Sequence, residues 1–450
     1  MARAHPESSV FYRKLGWHYP VAVRAEGCWV YDADGKAYLD ACGGAFVVNV
    51  GHGVTEIAEA MARQARTLAY VSGASMTHYA VEELATELAS LASDEGLRVY
   101  PLSSGSDAVE AALKLARQYW VETGRPRKHK IIALSPAYHG NTLLALSASA
   151  REHYKTIFQE WMPEIVRIPA PYSYRCACRG EPPLCPACSG AALEDAIART
   201  GPERVAAFIA EPVGGSSTGA SVPPPEYFPR VREICDRSGV LFIADEVLVG
   251  AGRTGTWSAL EPFGVAADIT VLGKGIAGGY APLAAVLARE RIVETLARGS
   301  GALNHAQTFS HHPVLCAAGV ATLRYIRAHR LVERCASMGD VLHLALHALR
   351  GLPHVGDVRG RGLLAGVEFV ADVETREPFP RATRFAERFT RAALDAGLIV
   401  WPNTGDANGK DGDLVMLAPP FIVSEEEIAE IVTRFTAALE RVDVDASSRV

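Results

Sequence analysis

The run Val240-Leu-Phe-Ile-Ala244, closed by Asp245-Glu246, is apolar at every position until its two carboxylates. A strand with one face in water alternates apolar and polar side chains. A run without alternation reads as a strand buried on both faces. Val205-Ala-Ala-Phe-Ile-Ala210 and Ile269-Thr-Val-Leu272 repeat the pattern, and Lys130-Ile-Ile-Ala-Leu134 and a segment near Val166 precede them. Amphipathic stretches stand between the runs; Thr55 to Leu68, Tyr79 to Ala92 and Asp107 to Val121 read as helices. Such alternation specifies an α/β fold, a mainly parallel sheet sandwiched by helices.

Toward both ends the pattern changes. From about Leu331 a long helix is followed by the strand Leu363-Leu-Ala-Gly-Val-Glu-Phe369, another helix, and short strands around Ile399 and Val415. Near the start, Cys28 to Asp32, the turn Asp34-Gly35 and Ala37 to Asp40 form a hairpin signal. A chain of 450 residues exceeds what one compact core holds. The expected division is an N-terminal segment 1–55, a large domain 56–325 and a C-terminal small domain 326–450. The small α+β domain is expected to draw on both the N- and C-terminal segments.

Hydrophobic residues at 49% and charged residues at 21% give an ordinary globular balance, and a net charge of −6 offers no attraction to nucleic acid or an anionic membrane. No apolar run reaches the roughly 18 residues of a membrane span. The first twenty residues carry Arg13, Lys14 and His18 in place of a signal-peptide core, so cytoplasmic residence is the expectation.

In open α/β sheets, ligands sit beyond the carboxyl ends of the strands. Four polar motifs fall there. Ser103-Ser-Gly105-Ser106-Asp107 opens a helix with small residues, so its free N–H groups and positive dipole suit a phosphate, although an ordinary N-cap reads the same way. Asp245 at a strand end can hold a pyridine nitrogen protonated; a Mg²⁺-binding acid would need a phosphate loop that is absent from the sequence. Lys274, between Gly273 and Gly275 at the end of a buried strand, is desolvated enough to attack an aldehyde. Tyr138-His139-Gly140 brings an aromatic face to the same rim, where a plain core tyrosine would also fit. Gly250 to Gly255 reads as a flexible polar loop.

Taken together these residues resemble the class III (ω-amino-acid) aminotransferases of pyridoxal-phosphate fold type I. The resemblance runs from Gly27-Cys-Trp-Val-Tyr-Asp through Asn49-Val-Gly-His, Ser104 to Arg117, Tyr138-His-Gly, Glu211-Pro-Val, Ala244-Asp-Glu-Val, Gly273-Lys-Gly and Thr308-Phe-Ser-His-His-Pro to Ala418-Pro-Pro. It implies pyridoxal 5′-phosphate (PLP) as cofactor, bound by the large domain, with segment 1–55 at the active-site entrance. Lys274 would be the Schiff-base lysine and acid–base group, Asp245 the partner of the ring nitrogen, and Val247 the ring face opposite Tyr138. Gly105 and Ser106 would hold the phosphate, His139 would lie at the cofactor, and Glu211 near the ring hydroxyl and substrate. Thr308 would reach the neighbouring subunit's phosphate, which calls for a homodimer and leaves a tetramer open. Trp17, Phe46, Ala74 and Trp401 match pocket-lining positions. The implied reaction moves an amino group from an ω-amino acid or amine to a keto acid such as pyruvate or 2-oxoglutarate. Racemase, aminomutase and decarboxylating chemistries share the motifs. A non-catalytic regulator would need a basic helix-turn-helix segment that the first 50 residues leave no room for.

Two positions depart from the pattern, Leu248 where many relatives carry glutamine, read as a subtype difference, and Trp401-Pro402; a cysteine cluster is a separate feature. Relatives often place an arginine for the substrate carboxylate where this chain has Trp401-Pro402, so the cation is expected elsewhere, with Lys410 a candidate. Cys176, Cys178, Cys185 and Cys188 sit in a Pro-, Gly- and Arg-rich loop. Four thiolates could form a structural zinc site, while reduced surface thiols or a redox pair would present the same spacing.

Overall fold

The computed structural model describes residues 2–91 and 96–447. Its centre is a seven-stranded sheet. From one edge the strands are Leu97–Leu102, Ala284–Arg289, Ile269–Leu272, Leu241–Asp245, Val205–Ala210, Lys130–Ser135 and Val166–Pro169. Only Ala284–Arg289 runs against the rest. Ile243 pairs with Ile209 on one side and Ile269 on the other, and every residue of the strands Val205–Ala210 and Leu241–Asp245 is buried. Those two runs lack alternation because both of their faces are covered.

The helix Gly105–Glu122 covers one face with Ala108, Val109, Ala112 and Trp120. Its start is set by Ser104, whose Oγ accepts the Asp107 N–H at 3.2 Å and donates to the Asp107 carboxylate at 2.6 Å. Helices Thr55–Thr67 and Tyr79–Ala89 pack against Pro313–Ala328 on the other side. The second of them ends before Ala92, which lies outside the described residues.

The C-terminal part is a four-stranded antiparallel sheet, ordered Val355–Gly360, Ala365–Phe369, Asp413–Leu417 and Trp401–Thr404, under helices Leu331–His347, Phe385–Asp395 and Glu425–Ser447. Phe369, Phe389 and Phe435 meet at its core, with ring centroids 4.5–6.2 Å apart. Leu363 and Leu364, expected in a strand, are buried in the turn that precedes Ala365. The N-terminal hairpin Trp29–Asp32/Ala37–Asp40 forms, and Leu398–Ile399 from the far end of the chain adds to it in parallel. The two ends of the sequence therefore share one layer.

The segment Gly250–Gly255 differs from the flexible loop expected of it. All but its last residue are buried, and Arg253 is 2% exposed. The Arg253 guanidinium donates to the carbonyls of Leu363 (2.9 Å) and Pro419 (2.7 Å), tying the loop after the Asp245 strand to the C-terminal sheet. Burial holds it down to about 10. The glycines gave a loop reading, but the arginine needs acceptors once buried, and two carbonyls supply them. Arg253→Ala is expected to destabilise the protein by about 2–4 kcal/mol, because two charge-assisted bonds go and two buried carbonyls lose their donor. Thermal unfolding by calorimetry checks this; an unchanged midpoint contradicts it.

Candidate active site

Three parallel neighbours end at one rim. Val205–Ala210 runs into Glu211, Leu241–Asp245 stops on its carboxylate, and Ile269–Leu272 leads through Gly273 to Lys274. Their buried apolar stretches push the first chemically useful residues to the mouth of the sheet. The N-terminus of Gly105–Glu122 arrives at the same place, and together they enclose a cavity of about 280 Å³ lined by Gly105, Ser106, Tyr138, Glu211, Asp245 and Lys274, among others. That is near the lower end of the roughly 300–1,000 Å³ of small-ligand sites.

Lys274 has φ of +45°, a left-handed conformation that costs a non-glycine residue about 1–2 kcal/mol. The strain turns the chain out of the strand into the single turn Lys274–Ala277. Gly275 allows this, because a Cβ there would lie 2.7 Å from Asn49 Nδ2. The Lys274 amine lines the cavity, with Nζ 5.8 Å from the Phe46 ring centroid. Desolvation pushes its ammonium below the ordinary lysine range, against the pull of Asp245 and Glu211.

Asp245 is 4% exposed. Its Oδ1 accepts the Val247 N–H at 3.1 Å, and Oδ2 lies 2.7 Å from His139 Nδ1. A carboxylate only accepts, so the shared proton sits on Nδ1. Glu211 Oε2 accepts the Tyr138 N–H at 3.2 Å and Oε1 the Gly215 N–H at 3.0 Å. Burial, with help from Asp245, pushes its carboxyl up to about 7. The cavity thus holds an amine that desolvation shifts toward its neutral form and a carboxyl group poised near neutrality.

At the helix end, Ser106 Oγ accepts the Asn141 N–H at 3.0 Å and keeps its own hydrogen to give. A Cβ on Gly105 would stand 2.9 Å from Val247 Cγ1, so only glycine leaves the slot open. Phe46 and Trp401 form the apolar wall, ring centroids 5.5 Å apart, with Leu248 beside them.

Trp17 and Ala74, expected to line the pocket, and Thr308, expected at a neighbouring subunit's phosphate, lie away from this cavity. Trp17 lies outside it, 4.2 Å under the Arg391 guanidinium. Ala74 and Thr308 are exposed, and the Thr308 carbonyl accepts the Tyr70 hydroxyl at 2.7 Å. Lys410 is also exposed and away from the cavity lining. A cation does line it, one that the sequence reading passed over. Arg151 is 8% exposed, donates Nη1 to Ser216 Oγ at 3.2 Å, and stands 4.8 Å from the Tyr154 ring centroid. Its Nε is buried without a hydrogen-bond partner. Arg13, at the mouth, donates to the Tyr154 hydroxyl at 2.9 Å. The available signal was one arginine closing the small-residue run Ser147-Ala-Ser-Ala150.

These residues fit PLP. The helix end supplies N–H donors and positive dipole for a phosphate, the Gly105 slot stays open, a fixed carboxylate waits for a ring N–H, and a desolvated amine waits for an aldehyde.

Comparison with known proteins agrees. The family model "Aminotransferase class-III" matches residues 14–439. An uncharacterised aminotransferase of Schizosaccharomyces pombe is 38% identical over 433 residues, 96% of this chain and 94% of that one. A putrescine–pyruvate aminotransferase of Pseudomonas aeruginosa is 34% identical, covering 94% of this chain and 90% of its own. Among solved structures, a thermostable (S)-enantioselective ω-transaminase from Thermomicrobium roseum superposes with a TM-score of 0.89 at 36% identity, over 97% of this chain and 96% of that chain. A transaminase from the marine bacterium Virgibacillus gives 0.90 at 33%, over 98% of both. The chain belongs to the class-III aminotransferases, PLP-dependent enzymes of fold type I that transfer amino groups.

Proposed function

We propose that this enzyme moves the amino group of an amine or ω-amino acid to a keto acid, with Lys274 as its acid–base residue and Arg151 as the anchor for the acceptor's carboxylate. The observation that carries this reading is the meeting of a strained, desolvated Lys274 with the buried Asp245 and a helix N-terminus in one small cavity.

Gly105 and Ser106 would hold the coenzyme phosphate through backbone N–H groups and the free Ser106 hydroxyl. Tyr138 and Val247 would flank the ring, and Asp245 would face its nitrogen. Bound PLP supplies an aldehyde that takes up amino groups and a ring that draws electrons from the neighbouring C–H bond. The remaining work belongs to the protein. Lys274, whose neutral form desolvation favours, takes a proton from the substrate carbon and returns it. Asp245 keeps the ring nitrogen protonated, and His139 fixes the Asp245 carboxylate. Glu211, poised near neutrality, can lend or accept a proton beside the substrate. Phe46, Leu248 and Trp401 exclude water, which strengthens every charge interaction inside.

Arg151 fills the role left vacant by Trp401. Its unpartnered Nε and its place on the cavity wall suit a carboxylate, and Arg13 and Tyr154 extend the same anion-attracting side. Tyr70, Met76 and Phe309 are large exposed apolar residues, and Tyr70 contacts both Thr308 and Phe309, as befits a homodimer whose partner covers them. The described residues hold no disulfide, in keeping with a reducing compartment such as the cytoplasm. No helix among the described residues is long and apolar enough to cross a membrane.

Asp245→Asn keeps an acceptor for the Val247 N–H but loses the charge, and is expected to lower kcat by about 10²–10⁴-fold with the thermal midpoint little changed. A rate within about threefold of wild type contradicts the assignment. Arg151→Ala is expected to raise KM for pyruvate by about 10–100-fold, the worth of charged hydrogen bonds of about 1.5–3 kcal/mol. KM for an amine donor without a carboxylate should not move, and equal effects on both substrates contradict an anion anchor.

A further inference from the structure

The four clustered cysteines take no part in the chemistry above. Cys176, Cys178 and Cys185 are half-buried and Cys188 is fully buried, on the loop between the strand Val166–Pro169 and the helix Ala191–Thr200. Their Sγ atoms all lie within 4.8 Å of one another, with the pairs 176–178, 176–188 and 178–185 each at 3.4 Å. A tetrahedral zinc ion with Zn–S of about 2.3 Å spaces its sulfurs about 3.8 Å apart, inside this range. A disulfide needs about 2.05 Å, and no pair comes near it. We propose that these four thiolates bind a structural zinc ion.

The backbone is arranged to present them. The N–H groups of Arg179 and Glu181 donate to the carbonyls of Cys176 and Cys178, and that of Cys188 donates to Cys185, so each cysteine pair sits on a tight turn. Arg179 and Gly180 both take left-handed φ values, +54° and +79°, which folds the chain back after Cys178. Between Ser173 and Pro186 the loop has almost no aliphatic side chain but Leu184 with which to build a core. A segment that strains a non-glycine residue and lacks a core needs another source of order, and metal ligation supplies it.

The loop also has something to hold. Just before Cys176, Tyr172 donates its hydroxyl to the fully buried Glu368 of the C-terminal sheet and accepts from Arg359 at 2.7 Å. Arg175 Nε donates to the other oxygen of Glu368 at 2.6 Å, and its Nη1 to the Arg376 carbonyl. Cys176 N–H in turn donates to the Tyr172 carbonyl at 2.9 Å. The zinc therefore acts as a staple, fixing the pair that joins the large sheet to the C-terminal sheet. Zinc binding displaces the thiol protons to solvent and involves no redox change.

The test is the metal content of the full-length, coenzyme-loaded protein purified without chelator. The expected result is about one zinc per chain, released in step with mercurial titration of the cysteines. Cys185→Ser should lose the zinc and lower the thermal midpoint. Should that variant fail to fold, the wild-type measurement still decides. Wild-type protein that carries no zinc as isolated, takes up none from a zinc solution, and either leaves all four thiols freely reactive or joins them as disulfides overturns the proposal. Zinc content is read without turnover, so its outcome is independent of the roles assigned to Lys274 and Arg151.

Discussion

The proposed active site depends on keeping a lysine amine out of water beside two carboxyl groups. Removed from solvent, the Lys274 ammonium loses hydration that its neighbours only partly replace, which pushes it below the ordinary lysine range. The same desolvation holds Glu211 near neutrality. Asp245 stands beside them, its carboxylate held by the Val247 N–H and the His139 ring. Burial thus brings one amine and two carboxyl groups into a single cavity, a constellation suited to acid–base chemistry.

The sheet makes this placement possible. Parallel strands buried on both faces have nowhere to put charge except at their ends, and three adjacent ends deliver Glu211, Asp245 and Lys274 to one rim. The cavity roof comes from elsewhere. Trp401 belongs to the C-terminal sheet and Phe46 to the N-terminal segment, so the site closes only when the layers are locked together. Arg253 and the Tyr172–Arg175–Glu368–Arg359 cluster are the polar ties that do this. Arg253, Tyr172 and Glu368 are buried and Arg175 and Arg359 largely so, and both ties pair charge with fixed partners.

Much of this was legible from the chain. The unbroken apolar runs identified the central strands, and the polar residues just past them identified Asp245 and Lys274 before any geometry was known. Two strands of the central sheet were missed, each for its own reason. Ala284–Arg289 is rich in alanine, a helix former, and Leu97–Leu102 carries Arg98 and Pro101, which blur the apolar signal. The Gly250–Gly255 loop was misread because glycine content says nothing about where a neighbouring arginine will find acceptors. Arg151 was missed because its significance lies in which wall of the cavity it joins, and local pattern does not encode that. Ala74, expected to line the pocket, is exposed away from the cavity lining, and so is Thr308, expected at a neighbouring subunit's phosphate.

The central claim, that Lys274 carries the coenzyme, is tested most directly by borohydride reduction of the PLP-loaded protein followed by peptide mapping. The account predicts one labelled peptide, the one containing Lys274, and no label in Lys274→Ala. Label spread over surface lysines, or undiminished in that variant, would contradict it.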